Sequence, residues 1–70
     1  MPPDRLVHMA NQIGRFFASQ PGDASAAIAD HLRAFWDPRM RAAIVAYVQA
    51  DGEGLDPAAA AAVRRLALSD

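Results

Sequence analysis

The sequence predicts an all-α fold, a small compact bundle of three to four short helices that forms one domain over residues 1–70. Apolar residues recur at intervals of three and four along most of the chain, as they do in amphipathic helices. Alanine, the strongest helix former, is the most frequent residue. No stretch alternates apolar and polar positions in the manner of a strand. The connections are short, so we expect neighbouring helices to pack antiparallel or at an angle.

The first helix is predicted over residues 4–19. Asp4 is positioned to cap it, and Pro21 and Gly22 end it. Its predicted buried face consists of Leu6, Met9, Ala10, Ile13, Phe16 and Phe17. Gly14 lies in the middle of this helix, where glycine costs about 1 kcal/mol relative to alanine. Either the chain tolerates that cost or another backbone comes close at this point.

The second helix is predicted over residues 24–36. Asp23 precedes it and can accept hydrogen bonds from the free amides of the first turn. Its apolar stripe consists of Ala24, Ala27, Ile28, Leu32 and Phe35. The helix ends at Asp37-Pro38, because proline pushes the preceding residue out of helical geometry.

The third helix is predicted over residues 38–51. Asp37 is its expected cap, and Pro38 suits the first position because the missing amide would have no partner there. Its buried face is predicted to contain Met40, Ala43, Ile44, Tyr47 and Val48. Gly52 and Gly54 supply the stop signal.

The fourth helix is predicted over residues 57–67, after a second Asp-Pro pair at Asp56 and Pro57. Its apolar stripe is thin and consists of Ala59, Ala62, Val63 and Leu66. Since this segment has good helix propensity but little to bury, we expect it to fray or to form fully only against another surface.

The composition limits which binding partners and cellular locations are expected for this protein. The chain has no cysteine, which excludes disulfides and thiolate metal sites. Its net charge of −1 provides no basic excess for a nucleic-acid backbone. The apolar runs are shorter than a membrane span, and the first residues lack the features of a signal peptide. We therefore expect a cytoplasmic protein that binds neither nucleic acid nor membranes.

The sequence contains no recognisable catalytic, cofactor-binding or metal-binding group, so we expect a protein that is not an enzyme and takes no small-molecule substrate. No nucleophile elbow surrounds any serine, and the stretch from Gly52 to Gly54 is too short for a phosphate loop. His8 and His31 lie on different helices without further zinc ligands. For His31 we expect a structural or interface role.

The junction of the second and third helices is the strongest candidate for partner binding. Arg39 and Arg41 occupy the first turn of a helix, where positive charge costs roughly 0.3–1 kcal/mol each. Carboxylates on a partner would offset that cost. Trp36 either belongs to a binding hot spot or closes the end of the bundle as a core residue. The candidate partner-binding residues are Arg15, His31, Trp36, Arg39 and Arg41.

From about residue 5 to residue 63 the sequence resembles the delta subunits of soluble, NAD-dependent formate dehydrogenases. The resemblance is carried, in this order, by Leu6-Val7-His8-Met9-Ala10-Asn11-Gln12-Ile13, Arg15-Phe16-Phe17, Ile28-Ala29-Asp30-His31-Leu32, Phe35-Trp36-Asp37-Pro38-Arg39-Met40-Arg41 and Gly52-Glu53-Gly54-Leu55-Asp56-Pro57. The order of the Met-Ala-Asn-Gln-Ile and Phe-Trp-Asp-Pro-Arg-Met-Arg blocks makes it fairly specific.

This resemblance implies a cytoplasmic complex that oxidises formate and reduces NAD. Its alpha subunit would carry molybdenum on two molybdopterin guanine dinucleotides together with iron–sulfur clusters, and the beta and gamma subunits would carry further clusters and FMN. The delta subunit would bind no cofactor and would stabilise the alpha subunit or help it mature.

Two other functions remain as alternatives. A small helical nucleic-acid-binding protein could begin a recognition helix at Arg39 and Arg41, although the net negative charge opposes it. A small helical enzyme that is active only as an oligomer could hold an anionic substrate with its arginines, but no convincing general base accompanies them.

Overall fold

Proline, glycine and aspartate residues set the helix ends throughout the computed structural model, which describes residues 3–69 and the side chains of residues 4–68. Within this range the chain forms four helices and no strand: α1 (Pro3–Ala18), α2 (Ala24–Phe35), α3 (Pro38–Ala50) and α4 (Pro57–Ser69). Each end lies within two residues of the predicted position. The all-α fold class is confirmed.

Side-chain caps start the two middle helices. Asp23 Oδ1 accepts a hydrogen bond of 3.3 Å from the amide of Ala26, and Asp37 Oδ1 accepts one of 2.9 Å from the amide of Met40. At the end of α3, Gly52 has a φ of 77° and donates its amide to the carbonyl of Tyr47. That left-handed conformation turns the chain away from α3 at little steric cost.

Helix α4 lies at the centre of the packing. It contacts each of the other three helices, and α2 is its main partner. The fully or almost fully buried residues are Leu6, Ala10, Ile28, Ala29, Leu32, Trp36, Ile44, Ala59, Ala62, Val63 and Leu66. The expectation that the fourth helix has little to bury is wrong, because its alanines allow close approach and its whole apolar stripe becomes core.

Gly14 of α1 lies beside the start of α4. A Cβ atom placed on Gly14 would lie 3.6 Å from the Cβ of Ala59 and 3.9 Å from its backbone nitrogen. Both distances are ordinary van der Waals contacts, so the space would accept one methyl group. Of the two explanations for a glycine inside α1, the structure therefore supports a tolerated cost, because the packing does not require a residue without a side chain.

Polar side chains fix the loop before α4. Asn11 donates to the carbonyl of Gly54 at 2.8 Å and accepts from the amide of Asp56 at 2.9 Å. The hydroxyl of Tyr47 donates to the carbonyl of Glu53 at 2.7 Å. These bonds join the loop to α1 and α3, and so they determine where α4 begins.

A second polar group joins the start of α2 to the end of α4. Arg65 donates from Nη2 to Asp23 Oδ2 at 2.9 Å and from Nε to the hydroxyl of Ser25 at 3.1 Å. The Ser25 hydroxyl in turn donates to Asp23 Oδ1 at 2.8 Å. The hydrogen bond from Ser25, the amide of Ala26 and the charge of Arg65 together lower the pKa of Asp23 below its usual value of 3.8.

The space beside Gly14 leads to a prediction that compares alanine substitutions at two glycines. Gly14→Ala should raise the free energy of unfolding by about 0.5–1 kcal/mol, because alanine reduces the entropy of the unfolded chain. Gly22→Ala should lower it by about 1–2 kcal/mol, because Gly22 has a φ of 100°, which strains an L-residue. Urea unfolding of both variants measures the two effects. A destabilised Gly14→Ala variant would contradict the packing described here.

The lowered pKa of Asp23 predicts acid sensitivity at the junction of α2 and α4. The folded state binds the Asp23 proton less readily than the unfolded state, so this group stabilises the fold above about pH 3.8. That contribution is lost as the pH falls through the lower pKa of the folded state. Ser25→Ala should raise the pKa of Asp23 in an NMR titration of its carboxyl carbon. An unchanged titration would show that the hydroxyl is not the main cause.

Candidate partner-binding surface

Four aromatic rings contact one another in series across α1 and α2, and we call them the aromatic face: Phe16, Phe17, His31 and Phe35. The ring centres of Phe16 and Phe17 are 5.1 Å apart with the rings nearly perpendicular. Phe17 and His31 follow at 5.7 Å, and His31 and Phe35 at 4.7 Å. Edge-to-face and tilted contacts of this kind favour a defined arrangement of the rings.

The two ends of the aromatic face are open to solvent. Phe16 is 61% exposed and Phe35 is 74% exposed, while Phe17 and His31 are partly buried between them. A shallow groove of about 330 Å³ lies beside the rings, and its lining is Gln12, Ile13, Phe16, Phe17 and His31. Connected apolar surface of this kind is typical of sites that bind other macromolecules.

The prediction that Phe16 and Phe35 face the core is wrong, and the reason is geometric. Neighbouring residues on a helix point about 100° apart, so two large adjacent aromatic residues do not point in the same direction. In the first pair Phe17 packs against the core and Phe16 points outward. In the second pair the chain leaves helical geometry at Trp36, which is buried, and Phe35 stays outside. Adjacent pairs of large aromatic residues were the signal that could have identified this surface.

The structure assigns Trp36 to the core. Only 5% of this residue is exposed, and it belongs to the same buried group as Leu32 and Leu66. Of the two roles that the sequence left open for Trp36, this is the structural one. The buried indole leaves little area for direct contact with a partner.

The three arginines that were predicted to bind a partner have different environments. Arg15 adjoins Phe16 in sequence, and its Nε lies 3.8 Å from Asp56 Oδ2 while 71% of its side chain stays exposed. Arg39 is exposed at the start of α3. Arg41 is partly buried, and its Nε atom is buried without a hydrogen-bond partner in the described structure. Arg39 and Arg41 are two residues apart, about 200° around the helix, so they do not share one face.

The polar groups that line the groove beside the aromatic face are the His31 ring and the Gln12 amide, and the remaining lining is apolar. Across residues 3–69 no group of three or more His, Asp or Glu side chains is placed to hold a metal ion. No helix in the same range combines the length and the hydropathy needed to cross a membrane.

A comparison with known protein families matches most of the chain. The sequence model of the family FdsD, described as the NADH-dependent formate dehydrogenase delta subunit, matches residues 5–63 of this chain. No curated protein and no solved structure matches the chain at a significant level.

The different environments of Phe35 and Trp36 lead to a prediction about two adjacent residues. Trp36→Ala should lower the free energy of unfolding by about 3–5 kcal/mol, because it empties a core position. Phe35→Ala should change it by less than about 0.5 kcal/mol, because that ring is mostly in solvent. Urea unfolding followed by circular dichroism compares both variants with the parent chain. Equal losses would contradict the assignment of the two rings.

Proposed function

Since this chain belongs to the family of NADH-dependent formate dehydrogenase delta subunits, we propose that it is a non-catalytic accessory subunit of a cytoplasmic formate dehydrogenase complex. In this proposal it binds the molybdenum-containing catalytic alpha subunit and stabilises it or helps it to mature. The family assignment supports membership of the complex. The choice of partner and the accessory role are the proposed part.

The observation that carries the proposal is the exposed aromatic face. Phe16 and Phe35 leave large hydrophobic rings in water on a domain of only 70 residues. Covering such rings provides much of the binding free energy at protein interfaces, where aromatic residues are enriched. Because Phe17 and His31 join the two exposed rings into one surface, a single partner can cover all four.

Polar groups beside the aromatic face would orient the partner. His31 lies between Phe17 and Phe35, so a partner that covers these rings also reaches the imidazole. Arg15 keeps most of its side chain exposed next to Phe16, although it lies near Asp56. Its guanidinium could therefore pair with a carboxylate at the rim of the interface.

Mass action supplies a mechanism for stabilisation or maturation. A protein that binds only the folded, cofactor-loaded state of a partner stabilises that state by an amount that depends on its affinity and concentration. In this proposal the molybdenum cofactor, the iron–sulfur clusters and FMN belong to the other subunits. The contribution of this chain is binding free energy alone.

The experiment that tests the proposal is co-purification of the chain with the alpha subunit from a strain that expresses both. Replacing both exposed rings, Phe16→Ser with Phe35→Ser, should weaken the complex at least tenfold, because two exposed anchors are lost. The isolated double variant should keep its melting temperature, because substitutions of exposed residues change stability little. Formate oxidation in extracts should fall with the amount of complex.

Leu68→Ser is the matched control for this experiment. Leu68 is 89% exposed and lies on α4, outside the aromatic face. Its replacement removes exposed hydrophobic area without touching the proposed surface, so the complex should form normally. Failure of the parent chain to bind the alpha subunit would overturn the proposed function. A double variant that binds as well as the Leu68 variant would overturn the proposed surface.

A further inference from the structure

His31 is the titratable member of the aromatic face and lies between two of its rings. Its ring centre is 5.7 Å from that of Phe17 on one side and 4.7 Å from that of Phe35 on the other. The adjoining groove is otherwise lined by Gln12, Ile13 and the two phenylalanines of α1, so no acid lines it. A partner that covers the face from Phe17 to Phe35 therefore also covers the imidazole.

The imidazole is accessible in the free chain. His31 is only partly buried, and no ion pair within the described part of the chain includes it. The buried side-chain polar atom that lacks a partner among the described residues is Arg41 Nε, so the ring nitrogens of His31 keep contact with solvent. A partner that binds here replaces water at these nitrogens.

The charged groups around His31 do not favour a positive charge on its ring. On its own helix, Asp30 and Arg33 pair with each other at 3.1 Å. Helices α1 and α4 pack against α2, and none of their titratable side chains forms an ion pair with His31 in the described structure: Asp4, Arg5, His8, Arg15, Arg64 and Arg65. The fold thus supplies no carboxylate that would hold a proton on the imidazole.

Covering the aromatic face therefore favours the neutral form of His31. Removal of water penalises the charged form of a titratable group. The faces of Phe17 and Phe35 attract a cation, but this attraction is smaller than the hydration that a buried cation loses. The centre of an interface is also depleted of charged residues, which lie mostly at its polar rim. On this chain Arg15, exposed beside Phe16, is the rim position suited to a partner carboxylate.

We propose that the alpha subunit binds the aromatic face only while His31 is neutral, so that acidification releases this chain from the complex. This inference rests on the proposed function and adds a form of regulation to it. Histidine is the side chain that ordinarily changes its charge between about pH 5 and pH 8. Below that change the free chain carries a proton that the complex has to release, so the dissociation constant rises as the pH falls.

The dissociation constant of the complex with the alpha subunit, measured at two pH values, tests the inference. A site that binds only the neutral imidazole loses about tenfold in affinity when nine tenths of the histidine is protonated. We therefore expect the dissociation constant of the parent complex to rise about tenfold from about pH 7.5 to about pH 5.5. Circular dichroism of the free chain should be the same at both pH values.

Replacement of each histidine by glutamine separates His31 from other titrating groups, including those of the alpha subunit. His31→Gln cannot become charged, so its dissociation constant should change less between the two pH values than that of the parent, by a factor of about five or more. His31→Phe, which keeps a ring at this position, should behave in the same way. His8→Gln makes the matched change at an exposed histidine outside the aromatic face and should keep the pH dependence of the parent.

The possible results separate this inference from the proposed function. Equal pH dependence in the parent and in both His31 variants would overturn the inference. A parent complex that becomes tighter in acid would also overturn it, because the partner would then hold the imidazole in its charged form. Loss of helix in the free chain at the lower pH would do the same, since weaker binding would then reflect unfolding. Failure of the parent chain to bind the alpha subunit at either pH would overturn the proposed function itself.

Discussion

The packing of the alanine-rich helix α4 among the other three helices is the constraint on which the structure depends. Ala59 and Ala62 are completely buried, and Gly14 of α1 packs beside the first of them. Small side chains bury little area each, but they allow the backbones to come close and the larger residues Val63 and Leu66 to reach the core. The core therefore combines large apolar side chains with alanines that let the helices approach closely.

The packing of the core determines which aromatic residues remain on the surface. Because α4 takes the central position, the faces of α1 and α2 need only part of their aromatic residues to complete the packing. Phe17 and Trp36 are used internally, and their sequence neighbours Phe16 and Phe35 are left on the surface. The surface available for binding is thus a consequence of how the interior is packed, and the exposed rings stabilise the free chain little.

The polar and charged residues also fall into two groups, those that make contacts within the bundle and those that do not. Arg65 joins α4 to the cap of α2 through Asp23, and Asn11 fixes the loop that leads into α4. These contacts hold the bundle together. Arg41 differs, since it is partly buried and its Nε has no hydrogen-bond partner among the described residues.

The sequence by itself determined the helices and their ends, because capping aspartates, prolines and glycines act through local hydrogen bonds and backbone geometry. It also determined the family, and it placed His31 and Arg15 among the candidate site residues. Only the tertiary structure decided which aromatic residue of each adjacent pair is buried and that the thin stripe of α4 lies at the centre. Both depend on how closely the helices approach one another, and the periodicity of a single helix gives no information about the distance between helices.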